Sequence, residues 1–157
     1  MKRTAIFVDV QNIYYTTKQA FGRSFNYRAF WQNLSESNDI VLANAYAIDS
    51  NDDGQKRFQT ALKSIGFEVK LKPFIQRHDG SAKGDWDVGI TIDVLESSAD
   101  VDHVVLLSGD GDFSLLIDKI KNKYGVTTQV YGVSSLTARS LIQSCDKFLA
   151  IDEKLLI

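Results

Sequence analysis

The sequence predicts a three-layer, doubly wound parallel α/β sheet with helices on both faces. Three observations predict it. Short, nearly continuous apolar runs recur, as strands buried on both faces require. Stretches with the i, i+3, i+4, i+7 spacing of amphipathic helices separate these runs. Finally, two of the runs lead to aspartates at their carboxyl ends, where such sheets carry their ligands.

Thr4 to Val10, TAIFVDV, is the first run, a central strand that delivers Asp9 to the carboxyl edge. A helix is expected from about Gln11 to Phe21 and another from about Tyr27 to Ser35, with Gly22 between them and both facing the core. Ile40 to Ile48, IVLANAYAI, is a further buried strand, and a helix over Asn51 to Ile65 carries Phe58, Ala61, Leu62 and Ile65 on one face and stops at Gly66. Phe67 to Lys72 alternates apolar and charged residues with lysines pointing outward, which suits a guarded edge strand, and Pro73 ends it.

A polar loop is expected over Gln76 to Gly84. In Asp85 to Ser97, Val88, Ile90, Ile92 and Val94 alternate like a strand, whereas Val88, Ile92 and Leu95 fit a helix. The helix is preferred because a parallel strand starting near His103 needs a crossover connection. Val104 to Leu107 is then a strand, SGDGD a sharp turn, and Phe113, Leu116, Ile117, Ile120 and Tyr124 mark a helix. Val126 to Tyr131 reads as a fifth strand, Leu136 to Ser144 as a short helix, and Phe148 to Ile151 as a last strand.

At 157 residues, with 44% hydrophobic content and no Pro/Gly/Ser-rich linker, residues 1–157 read as one domain. No apolar run is long enough for a membrane span, and Asp9 interrupts the amino terminus before a signal-peptide core could form, so a cytoplasmic, membrane-free protein is expected. The single cysteine, Cys145, can form no internal disulfide and reads as a buried spacer. A net charge of −2 excludes a protein that coats nucleic acid through a global positive field. Any such contact must be local.

The turn Ser108 to Asp112 holds two carboxylates one residue apart, Asp110 and Asp112, between glycines. This makes a poor phosphate cradle but a good hard-cation site. Asp9 shares the edge, and Asp87 joins from the start of its helix, where the partial positive charge of the helix end also tolerates an acid. Asp93 lies six residues on, about 240° around the helix, and so ranks second. Crowded like charges raise one another's pKa, and a divalent cation relieves them. Mg²⁺ keeps several waters and accepts phosphate oxygens, which suits phosphodiester cleavage, and Mn²⁺ fits the same ligands.

The motifs FVDVQN at Phe7 to Asn12, KGDWDV at Lys83 to Val88 and SGDGDF at Ser108 to Phe113 stand in order. With them the chain resembles the NYN domains of the PIN-like nuclease superfamily, most closely the LabA-like branch, over nearly its whole length. The resemblance implies a sheet of order 3-2-1-4-5 and a Mg²⁺- or Mn²⁺-dependent endoribonuclease. It implies Asp9, Asp87, Asp110 and Asp112 as metal-binding and catalytic residues, with Asn12 and Ser108 as polar neighbours. The chain departs from the commoner pattern by one residue, since Asp85 and Trp86 follow the Lys-Gly pair. Asp85 and Asp87 are therefore both candidates, and Asp87 is preferred for its spacing to Asp93.

An acidic centre repels a polyanion, so RNA, single-stranded by expectation, needs nearby positive charge. The run through Lys70, Lys72, Arg77, His78 and Lys83 is its source, and the family motif supports Lys83. P-loop and dinucleotide signatures are absent, and Asp9 is followed by Val10 and Gln11 rather than by the acid that a haloacid-dehalogenase phosphatase or a receiver domain would need. The alternative is a LabA-like regulatory module that binds RNA or a protein with little or no cleavage. A homo-oligomer is compatible with either.

Overall fold

The computed structural model describes residues 1–73, 75–76, 82–83 and 85–157. The first half of the chain runs β1 (Lys2–Asp9), α1 (Val10–Phe21), α2 (Tyr27–Ser35), β2 (Asn38–Asp49), α3 (Asp53–Ile65) and β3 (Glu68–Pro73). Two short strands, β4 (Ile75–Gln76) and β5 (Ala82–Lys83), lead to α4 (Asp87–Ser97) and β6 (His103–Leu107). The chain continues through α5 (Ser114–Tyr124), β7 (Thr127–Gly132), α6 (Arg139–Ser144) and β8 (Lys147–Ala150).

Six strands form one parallel sheet in the order β3-β2-β1-β6-β7-β8. The expected order is extended by one strand, because the apolar stretch at the carboxyl end pairs with β7 from Gln129↔Lys147 to Gly132↔Ala150. Strand order reverses between β1 and β6, so the crevice at their carboxyl ends is the switch point of the sheet. Their register, Thr4↔His103 to Val8↔Leu107, makes Asp9 and Ser108 the next residues out on adjacent strands.

Strand alternation sorts the core into two layers. Ile6, Val8, Val105 and Leu107 face α1, α2 and α3, packing with Ile13, Phe30 and Leu62. Ala5, Phe7, Val104 and Leu106 face the other side, packing with Ile90 and Val94 of α4 and with Leu116, Ile117 and Ile120 of α5. All five residues of β6 are buried, which explains the unbroken apolar run from Val104 to Leu107. Truncating a fully buried ring such as Phe7 to alanine would cost about 3–5 kcal/mol. Gly22 closes α1 with φ +64°, a left-handed conformation that glycine adopts without strain, and Asn26 caps α2 by accepting from the Ala29 N–H at 3.0 Å.

Three expectations are corrected. Part of the polar segment from Gln76 to Gly84 is paired backbone, with Ile75↔Lys83 and Gln76↔Ala82 antiparallel. The helix after it forms, but its core face is Ile90 and Val94 rather than Val88 and Ile92, which are 72% and 50% exposed. The edge-strand lysines do not simply point into solvent: Lys70 and Lys72 both reach across to α4 and the residues that open it. Among the described residues, no helix is long and apolar enough to cross a membrane.

Candidate metal centre

The centre is assembled on the Ser108–Asp112 turn. Ser108 is fully buried and donates its hydroxyl to Asp9 Oδ2 at 3.0 Å, while its Oγ accepts from the Asp110 N–H at 3.2 Å. The Gly109 N–H donates to Asn12 Oδ1 at 2.8 Å, and the Gly109 carbonyl accepts from the Ala138 N–H at 3.0 Å. A Cβ on Gly109 would lie 2.7 Å from the Leu136 carbonyl oxygen and 3.1 Å from Thr137 Oγ1, so only glycine fits here without displacement. Asp110 then turns the chain into a single turn of 3-10 helix at Gly111–Phe113, its Oδ1 accepting from the Asp112 N–H at 2.9 Å.

Asp87 enters from the first turn of α4, and several contacts hold that turn. Asp85 Oδ1 accepts from the Asp87 N–H at 3.2 Å, and Thr91 Oγ donates to the Asp87 carbonyl at 2.7 Å. The Trp86 indole donates to the Ala47 carbonyl at 2.8 Å. Lys72 Nζ donates to the Asp85 carbonyl at 3.0 Å and lies 4.8 Å from the centroid of the Trp86 ring.

The consequence is that carboxylate oxygens of Asp87, Asp110 and Asp112 lie within 4.8 Å of one another. Asp9 is not one of these three. It is buried beside them, held by Ser108 and close enough for the Asp110 charge to act on it.

Burial pushes the Asp9 carboxyl up to about 6, with the hydrogen bond from Ser108 opposing it and the Asp110 charge adding to it. Burial, then the hydrogen bond and charge of Asp110, push Asp87 up to about 7. Asp87 thus keeps a proton near neutrality and Asp9 somewhat below it, because burial disfavours their charged forms and neighbouring acids add to the penalty. The donor set is all hard oxygen, which fits a divalent cation of the Mg²⁺ or Mn²⁺ class.

The remaining sequence candidates divide. Asn12 and Ser108 stand in the site as scaffold for the turn, and Asp85, from an exposed position just before α4, accepts from the Asp87 N–H. Asp93 is drawn elsewhere: its Oδ2 accepts from Tyr46 Oη at 2.7 Å and from Lys70 Nζ at 2.9 Å. Although burial raises its pKa, these bonds and the lysine charge hold it below the usual carboxylate value. Lys72 serves the α4 entry. Arg77 and His78 lie outside the described residues, and of Lys83 only the backbone is described, pairing with Ile75. The other residues singled out serve the core: His103 opens β6 and bonds Thr127 and Gln129, and Cys145 is buried at the end of α6.

Sequence reasoning missed two supports. The 133–138 segment presses on Gly109 through Leu136 and Thr137, a contact that no local pattern announces. Trp86 pins the α4 entry, and its one signal in sequence was a lone indole between two acids at a helix start.

A family model described as NYN domain matches residues 3–152. The chain is 31% identical over 159 aligned residues to the low amplitude and bright protein LabA of Synechococcus elongatus, covering 96% of this chain and 84% of that protein. It is 52% identical to VPA0982, a protein of unknown function from Vibrio parahaemolyticus with a crystal structure. The two superpose with a TM-score of 0.95 over 99% of this chain and 96% of that one.

Proposed function

The chain belongs to the NYN domain family, and on that premise we propose that it is a Mg²⁺- or Mn²⁺-dependent endoribonuclease acting on single-stranded RNA. The family is nuclease-related, and an acidic cluster of this kind is compatible with divalent metal binding. The observation that carries the reading is the convergence of Asp87, Asp110 and Asp112 within 4.8 Å at the switch point of the sheet, with buried Asp9 beside them.

Asp87, Asp110 and Asp112 would hold the cation, and Asp9 would add a fourth negative charge beside them. Once bound, the cation supplies the positive charge that neutralises the acids and polarises a phosphodiester oxygen. Asn12 and Ser108 keep the turn in place, so the carboxylates meet a substrate without rearranging. Lys83, Arg77 and His78, with Lys72, are the proposed contacts to the RNA backbone, because they precede in sequence the helix that begins at Asp87. Asp85 supports Asp87 by accepting from its backbone N–H rather than as a ligand.

Similarity to LabA favours keeping a second reading beside this one: a LabA-like module that holds RNA or a protein and turns nothing over. Incubation with end-labelled single-stranded RNA separates the two. The nuclease reading expects Mn²⁺-dependent loss of the full-length strand, abolished by chelator and by Asp110→Asn. Retention of intact RNA in a stable complex under the same conditions would select the binding module.

A further inference from the structure

On the opposite face of the sheet from α4, a cleft of about 830 Å³ opens between α1, the start of α2, the end of β2 and α3. Its volume is that of a small-molecule or cofactor pocket. It begins at Val10 and Gln11, the two residues that follow Asp9 in the chain, and so continues from the edge that carries the acidic centre. Tyr14, four residues and about 6 Å along the helix axis from Val10, stands with Tyr15 among the lining residues. The two rings are 50% and 61% exposed as residues and meet edge to face at 5.4 Å. Phe58 of α3 contributes a third ring.

The polar lining decides what suits this cleft. Among the described residues that line it, no side chain is an aspartate or glutamate, although the chain contains 20 acids, and the one charged side chain is that of Arg28. Gln11 and Gln55 present amides, each able to donate and accept. Exposed aromatic rings, amides and an arginine match the three parts of a nucleotide: the face of a base, its edge and its phosphate. An aliphatic ligand would use neither the amides nor the arginine.

We propose that this cleft is a nucleobase subsite for single-stranded RNA, in which Tyr14 and Tyr15 stack unpaired bases and Arg28 meets the backbone, leading the strand over the start of α1 toward the acidic centre. The inference rests on the RNA reading of that centre and adds the place where the strand is held.

The test is titration of labelled oligoadenylate of about ten nucleotides, followed by fluorescence anisotropy in EDTA, so that neither metal nor turnover contributes. Tyr14→Ala with Tyr15→Ala is expected to weaken binding by at least about 5-fold, the lower bound for losing a single stacked base. Tyr14→Phe with Tyr15→Phe, which keeps both rings, should retain the wild-type affinity, and Arg28→Ala should lower the magnitude of the salt slope by about 0.7. Both tyrosines are exposed, so unchanged melting temperatures are expected for the two pairs. The inference is overturned if the alanine pair binds like wild type, if the phenylalanine pair loses as much as the alanine pair, or if wild type binds no RNA in EDTA. It is also overturned if the alanine pair changes only the sedimentation coefficient, which would make the cleft a contact between copies of the chain. RNA binding that depends on the tyrosines in a protein that never cleaves would remove the nuclease reading and leave the cleft standing. Cleavage with wild-type KM in the alanine pair would do the reverse.

Discussion

Asp9→Asn tests the electrostatic account of the centre most directly. The wild-type carboxyl is buried and titrates at about 6, against 3.8 for the ordinary group. A raised acid pKa contributes stability that is fully present below the unfolded value and is lost as pH rises through the folded one. At pH 7.5 the full shift of about two pKa units is expressed, and holding the charge in place costs about 3 kcal/mol; at pH 5 the cost is about 1.5 kcal/mol. Asparagine keeps an oxygen that can accept from Ser108 and carries no charge, so it mimics the protonated acid. In chelator, the variant should therefore be more stable than wild type by about 3 kcal/mol at pH 7.5, a rise in melting temperature of about 6–12 °C, and by about half as much at pH 5. Thermal or urea unfolding at the two pH values measures this. A variant that melts at or below wild type at pH 7.5 would refute the burial penalty. An equal gain at both pH values would refute the titration that was assigned to Asp9.

Other expectations follow from the same geometry. Millimolar Mn²⁺ should stabilise wild type at pH 7.5, by about 2.7 kcal/mol at a hundredfold excess over Kd, and much less at pH 5, where Asp9 and Asp87 bind protons instead; differential scanning calorimetry reads both. Asp110→Asn should abolish cleavage while leaving the apo protein as stable as wild type or more so, because one of several crowded charges is gone; circular dichroism melts beside the RNA assay would expose a variant that is merely unfolded. Gly109→Ala should cost about 1–3 kcal/mol in urea unfolding, since its Cβ would press on the Leu136 carbonyl, and should lower metal affinity because the turn carrying Asp110 must shift. Trp86→Ala removes no ligand yet unpins the start of α4, so Mn²⁺ affinity by calorimetry should fall while Asp87 remains in the chain.

The sequence by itself determined the number and kind of most elements and the ends at which the acids collect. Unbroken apolar runs such as Val104 to Leu107 are dictated by burial on both faces, and glycine-aspartate turns that follow them fall at the carboxyl edge whatever the remaining packing. Strand and helix periods are local properties, and local properties are written along the chain. Tertiary structure decided which residues meet. Val88 and Ile92 have the same period as Ile90 and Val94, and only the packing of α4 against β1, β6 and α5 selects the second pair for the core. Asp93 is as acidic as Asp87, yet its place on α4 hands it to Lys70 and Tyr46 from strands far back in the chain. The bond from Ser108 to Asp9 joins residues 99 apart and exists because β1 and β6 pair in one register. The cleft beside Tyr14 and Tyr15 has no sequence signature at all, since it is the space left between three helices and a strand. Such contacts depend on the relative placement of whole elements, which the balance of packing over the entire core sets and no single stretch encodes.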